Sequence, residues 1–135
     1  MAHWLVKSEP GTWSWDAHVK AGKDAWTGVR NHQAKAHLKA MKAGDTAFFY
    51  HSGDDKAVVG VSEIVKEAYP DKTDASGAFV CVDLQAKGPL KQPVSLSAIK
   101  ANPKLKDMVL VRNSRLSVQP VTAAEWAEVT RMAGG

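Results

Sequence analysis

Residues 46–51 and 57–69 are two runs of aromatic and β-branched side chains held apart only by Ser52-Gly53-Asp54-Asp55-Lys56. Both runs are strand formers and the segment between them is made of turn residues, so the simplest way to pair both backbones is an antiparallel hairpin. A hairpin of that length is not stable alone in water and must be covered by further strands or helices. The chain has the means. Its 135 residues suffice for one domain, residues 1–135, and a hydrophobic content of 44% supplies a core without cross-links.

The other segments divide by periodicity. Residues 3–7 read as a short strand, Trp4 and Val6 alternating with His3 and Leu5, broken by Pro10-Gly11. Ser14 has the chemistry of an N-cap for a helix through Val19, stopped at Ala21-Gly22-Lys23. Trp15 and Val19 then form its inner face, with Trp13 placed to staple the cap. The segment 26–31 follows as a loop. From residue 33 to 42, Ala34, Leu38 and Met41 recur at helical spacing, while Lys35, Lys39 and Lys42 form a basic stripe about 100° round. Residues 79–85 alternate as a half-buried strand that leaves Cys81 a packing residue, and residues 95–99 form a short helix closed before Pro103. Residues 115–118 give a last strand. Thr122 and Glu125 have the spacing of a capping box, and Trp126, Val129 and Met132 make the apolar stripe of a final helix, with Trp126 in the core. Strands outnumber helices and no strand-helix repeat argues for a parallel sheet. The expected fold is α+β, a small, curved, mostly antiparallel sheet or barrel with short helices around it.

Composition removes several function classes. One cysteine allows no internal disulfide, and no Cys/His cluster has metal-ligand spacing; His3, His18, His32 and His37 are scattered and read as solvated. No apolar run is long enough to span a membrane, and Lys7-Ser8-Glu9-Pro10 interrupts the first apolar stretch too early for a signal peptide, so a soluble, cytoplasmic protein is expected. Neither a phosphate-binding loop nor a dinucleotide fingerprint occurs. No cofactor is implied. Lys and Arg exceed Asp and Glu by 18 to 14, a net charge of +4 that suits a polyanionic partner without requiring one.

Three clusters carry site chemistry. Trp26-Thr27-Gly28-Val29-Arg30-Asn31 sets an aromatic, an Arg and an Asn on a glycine turn. Trp is often core, but Arg pairs with phosphate and Asn offers a donor and an acceptor to a base edge. Lys7-Ser8-Glu9-Pro10 and Tyr50-His51-Ser52 each end an apolar run, where side chains project at a sheet rim. With Ser8 as nucleophile, His51 as base and Glu9 as orienting acid the residues also suit a hydrolase, although no nucleophile elbow accompanies them. An alternative reading is an enzyme acting on a nucleotide or modified base with His51 and Glu9 as acid and base. A third reading makes the aromatic cluster all core and the protein an interaction module. Beside Arg30, the Lys35, Lys39 and Lys42 stripe is a candidate phosphate track.

These motifs, together with Tyr69-Pro70-Asp71, Pro93-Val94-Ser95-Leu96 and Arg115-Leu116-Ser117-Val118-Gln119-Pro120-Val121, resemble the EVE domain family, in one order from Trp4 to about Trp126. Thr27 stands where many members have Asp. The family is PUA-like, related to the YTH domains that read methylated adenine in RNA, and includes stand-alone bacterial domains and the core of an animal thymocyte nuclear protein. The resemblance implies a PUA-like β-barrel and non-catalytic recognition of a modified base, modified cytosine in DNA foremost and a modified RNA base as the other form. It implies a pocket in which Trp26, opposed by Tyr50, stacks on the base. Lys7, Ser8, Glu9, Val29, Arg30, Asn31, His51, Ser52, Arg115, Leu116 and Ser117 would line or frame it. The implied partner is nucleic acid carrying a modified base. Oligomeric state is left open.

Overall fold

The computed structural model describes residues 2–11, 13–27, 29–113 and 116–134. The elements run β1 (His3–Ser8), α1 (Trp15–Ala21), β2 (Lys23–Trp26), α2 (His32–Ala40), β3 (Thr46–His51), β4 (Ala57–Pro70) and β5 (Val80–Ser95). They continue with α3 (Leu96–Ala101), a 3-10 turn (Pro103–Leu105), α4 (Val109–Arg112), β6 (Val118–Val121) and α5 (Ala123–Met132). The expected α+β class holds. The expected hairpin is β3 against β4, antiparallel from Thr46↔Glu63 to His51↔Ala57.

The six strands form one sheet in the order β2-β5-β4-β3-β1-β6. Its pairings leave β2 and β6 as edges, so among the described residues the sheet is open and does not close into the expected barrel. It nevertheless curls. The rings of Trp26 on β2 and Phe49 on β3 lie 6.1 Å apart, although three strand spacings in a flat sheet come to about 14 Å. Register shifts in the β3/β4 and β4/β5 ladders mark where the long strands bend.

One pairing departs from the antiparallel expectation. β1 and β3 are parallel, with Lys7↔Tyr50 and Ser8↔His51 in register. The chain between them is long enough for this crossover, since it contains α1, β2 and α2. Both strands therefore end at the same rim of the sheet.

Alternation sends β1 and β3 side chains to two cores. Trp4, Val6, Ala47 and Phe49 pack with Trp15, Ala34 and Leu38 of α1 and α2. Leu5, Phe48 and Tyr50 pack with Ile99, Leu110 and Val129 of α3, α4 and α5. The sheet is thus covered on both faces. Gly60 permits the first of these contacts, because a Cβ there would meet the Trp15 ring at 2.5 Å.

Local expectations mostly hold. Ser14 and Thr122 cap α1 and α5 as expected, the latter through a complete capping box, whereas Ser95, expected inside its helix, caps α3. The predicted inner face of α1 is corrected: Val19 is 49% exposed, and His18, expected in solvent, is fully buried. Helical geometry explains the exchange, because His18 faces the sheet one turn after Ser14 and finds Ser62 Oγ at 2.8 Å from Nε2. Trp126 is half-buried rather than core, sandwiched between Phe48 and His3 with ring centroids at 3.7 and 4.6 Å. Strand β5 continues ten residues beyond its expected end at Gln85. Pairing with β2 stops at Gln85, so the prolines beyond it fall where β5 is an edge on that side and lose no ladder bond there.

Candidate nucleic-acid interface

At the rim where β1 and β3 end, a cavity of 470 Å³ opens between Lys7, Ser8 and Glu9 on one wall and Asp24, Ala25, Trp26 and Thr27 on the other, with Trp13 between them. The backbone builds it in steps. Trp13 N–H donates to Glu9 O at 2.9 Å, Ser52 N–H to Ser8 O at 2.9 Å, and Lys7 N–H to Ser117 O at 2.9 Å. The Ser8 hydroxyl donates to Trp13 O, which ties the first wall to the tryptophan.

Trp26 ends β2 rather than lying in a loop, and is 6% exposed within the first core. Its ring meets Trp13 at 5.5 Å and a 46° tilt. Among the described residues its indole N–H has no hydrogen-bond partner, an uncommon condition for a buried donor. Trp13 is only half-buried and packs edge-on to Phe49 at 5.8 Å. The expected opposition of Trp26 by Tyr50 does not occur. Tyr50 follows Phe49 in β3 and therefore projects to the other face, into the second core. Trp13 takes its place.

The remaining site candidates disperse. His51 is used twice: Nε2 accepts the free N–H of Trp15 at the start of α1, at 2.8 Å, and Nδ1 lies 3.0 Å from Asp55 Oδ2. With Nε2 accepting, the ring proton sits on Nδ1, and neither nitrogen is left to serve as a base. Asn31 caps α2, its Oδ1 accepting Ala34 N–H at 2.9 Å. Arg30 reaches away to Asp71 at 3.2 Å and Thr73 at 2.9 Å. Val29 and Leu116 are buried in the first core. Ser52 and Tyr50 line a separate cavity that shares Lys7 with the first. Ser117 contributes its carbonyl to Lys7 N–H. Gly28 and Arg115 lie outside the described residues. Lys35, Lys39 and Lys42 line none of the cavities described, and Lys35 instead lies over the Phe79 ring at 5.7 Å. Among the described residues no three metal-ligating side chains converge.

Sequence reasoning missed Trp13, Asp24, Ala25 and Thr27 as cavity walls. The available signal was the alternation of 23–26, a four-residue strand too short to stand out between Gly22 and the glycine turn. Electrostatically the cavity is mixed. Burial pushes the Lys7 ammonium below its ordinary value, while Glu9 and Asp24 bring carboxylates to the same space.

The EVE domain family model matches residues 2–132. The chain belongs to that family. A solved Rhodopseudomonas palustris protein is 62% identical to this EVE domain, covers 99% of it and 94% of its own chain, and superposes with a TM-score of 0.94. Human THYN1 protein, solved in complex with DNA containing 5-methylcytosine, is 35% identical over 100% of this chain and 99% of its own, with a TM-score of 0.91. Gallus gallus thymocyte nuclear protein 1 is 36% identical over 92% of this EVE domain, which spans 65% of that protein's length. A Zygosaccharomyces rouxii YTH domain, at 19% identity and a TM-score of 0.61 over 99% of this chain and 85% of its own, shares the fold.

Proposed function

We propose that this EVE domain is a non-catalytic reader of a modified nucleobase, modified cytosine in DNA foremost, which leaves its stack and enters the cavity between Trp13 and Trp26. The carrying observation is that cavity's composition: a half-buried indole backed by a buried one, with Glu9, Asp24 and Lys7 at its walls. Cytosine presents an amino donor that Asp and Glu accept, beside ring and carbonyl acceptors that an ammonium can meet. The complex of human THYN1 protein with 5-methylcytosine DNA supports the same ligand class. The commitment of both His51 nitrogens favours the reader over an acid–base enzyme built on His51 and Glu9. No helix among the described residues is long and apolar enough to cross a membrane, and we take the protein to meet its nucleic acid in the cytoplasm.

Unstacking a base costs a few kcal/mol, and stacking on an aromatic returns about 1–3 kcal/mol. Hydrogen bonds and phosphates supply the difference. A methyl group buried against Trp13 adds ~0.8 kcal/mol, about fourfold in affinity, so sharper selectivity depends on how the polar walls fit the base. The test is a fluorescence-anisotropy titration against DNA and RNA oligonucleotides carrying 5-methylcytosine, cytosine, N6-methyladenine or adenine. The parent is expected to prefer a modified base, and Trp13→Ala to weaken that binding by about 5- to 150-fold with its thermal transition retained. Equal binding by parent and variant refutes the site; equal binding to modified and plain oligonucleotides refutes the reader.

A further inference from the structure

Two smaller cavities adjoin the base cavity through different walls. One, of 350 Å³, shares Lys7 on the β1 side and is bounded by Tyr50, Lys56 and Lys100. The other, of 340 Å³, shares Ala25 and Thr27 on the β2 side and is bounded by Lys66, Tyr69 and Lys72. Charge is distributed unevenly among the three. In the base cavity Lys7 is offset by Glu9 and Asp24, whereas neither flanking cavity has a carboxylate in its walls. Asp54 and Asp55 share the turn with Lys56, but Asp55 is drawn toward His51 at 3.0 Å.

Lys56 carries a second, independent sign. Its φ of 44° makes it the one non-glycine residue with positive φ among the described residues. A lysine in that conformation costs more than the glycine or asparagine usually found there. Its carbonyl accepts Leu96 N–H at 2.8 Å, a backbone contact that any residue could make. The side chain is therefore what glycine could not replace, and it faces a cavity with Lys100.

Resting on the reader function above, we propose that the nucleic-acid strand crosses the molecule through all three cavities. The base sits in the middle one, with the flanking phosphates held by Lys56 and Lys100 on one side and by Lys66 and Lys72 on the other. Neutral base and anionic backbone are thereby sorted: the base enters where carboxylates share the walls with Lys7, the phosphates where lysines line the walls and carboxylates do not. Lys66 is pre-positioned over the Tyr69 ring at 4.2 Å. The α2 stripe lies outside this path.

The experiment is the salt dependence of affinity for a modified-base oligonucleotide that the parent binds, measured from 50 to 200 mM salt. Each phosphate contact steepens the fall over that range by about threefold. The pairs Lys56→Gly with Lys100→Gln, and Lys66→Gln with Lys72→Gln, are each expected to flatten the fall by about tenfold while keeping the preference for the modified base. Lys56→Gly is expected to melt no lower than the parent, since it relieves the backbone. The triple variant Lys35→Gln, Lys39→Gln, Lys42→Gln is expected to keep the parent slope. Unchanged slopes in both pairs, or a flattened slope in the α2 triple alone, overturn the track while leaving the reader intact. A parent that binds no oligonucleotide overturns both.

Discussion

Buried polar residues show how single side chains shape this protein. Burial holds the His18 imidazole below its ordinary pKa, against the smaller opposing pull of Asp24, and burial does the same to His37. A histidine kept neutral in the fold but free to charge when unfolded contributes stability above about pH 6.5, which is lost as pH falls below that value. Asp45 acts lower on the scale. Burial alone would raise its carboxyl, but bonds from Lys42 N–H, the Trp4 indole and Ala2 N–H outweigh it and leave the pKa lowered. Its contribution is present above the usual carboxylate range and disappears as pH falls through the lowered value. Thermal melts are therefore expected to fall as pH drops below about 6.5 and again below about pH 4. His18→Gln is expected to shrink the first step by keeping a partner for Ser62 without the titration. A first step of undiminished size would assign it elsewhere. None of this was legible in the sequence, where His18 looks like any polar residue on a short helix.

Helix caps were the most legible elements, because a capping side chain and its target are neighbours in sequence. Thr122 Oγ1 accepts Glu125 N–H at 3.1 Å, and Glu125 Oε1 accepts Thr122 N–H at 3.0 Å. Thr122→Ala is expected to cost about 1 kcal/mol in urea unfolding. Helix α5 packs on the second core, away from the base cavity, so oligonucleotide binding is expected to stay at the parent level. A binding loss larger than the stability loss would tie α5 to the ligand. The first turn of α1 shows the limit of local reading. Ser14 was foreseen as its cap, but His51, 36 residues away, satisfies Trp15 N–H. Strand β2 was missed for a related reason. Four residues carry too little periodicity, and β2 is stabilised by Trp26 packing under Trp13 and Phe49 rather than by its own propensity.

For the molecule as a whole, the deciding feature is the curl that brings β2 toward β1 and β3. Arg30 helps hold it by linking the segment after β2 to the segment after β4, through Asp71 and Thr73. With the Arg30 side chain 40% exposed, Arg30→Ala is expected to cost about 1 kcal/mol of stability. The preference for a modified oligonucleotide is expected to persist, as read by the same anisotropy titration. Loss of affinity at parental stability would instead put Arg30 on the ligand.

The sequence alone determined the β3–β4 hairpin, the capped helices and the α+β class, because these rest on periodicity and neighbouring residues, and its ordered motifs carried the resemblance to the family. It also grouped Trp26 with the Lys7-Ser8-Glu9 segment, and these residues line one cavity. Tertiary structure decided which aromatic faces Trp26, where Arg30, Asn31 and His51 spend their hydrogen bonds, and that the sheet is open among the described residues. Those outcomes depend on which strand ends meet at a rim and on which face each side chain of β3 emerges. The parallel pairing of β1 with β3 and the bending of the sheet set both, and each arises from contacts between residues far apart in the chain.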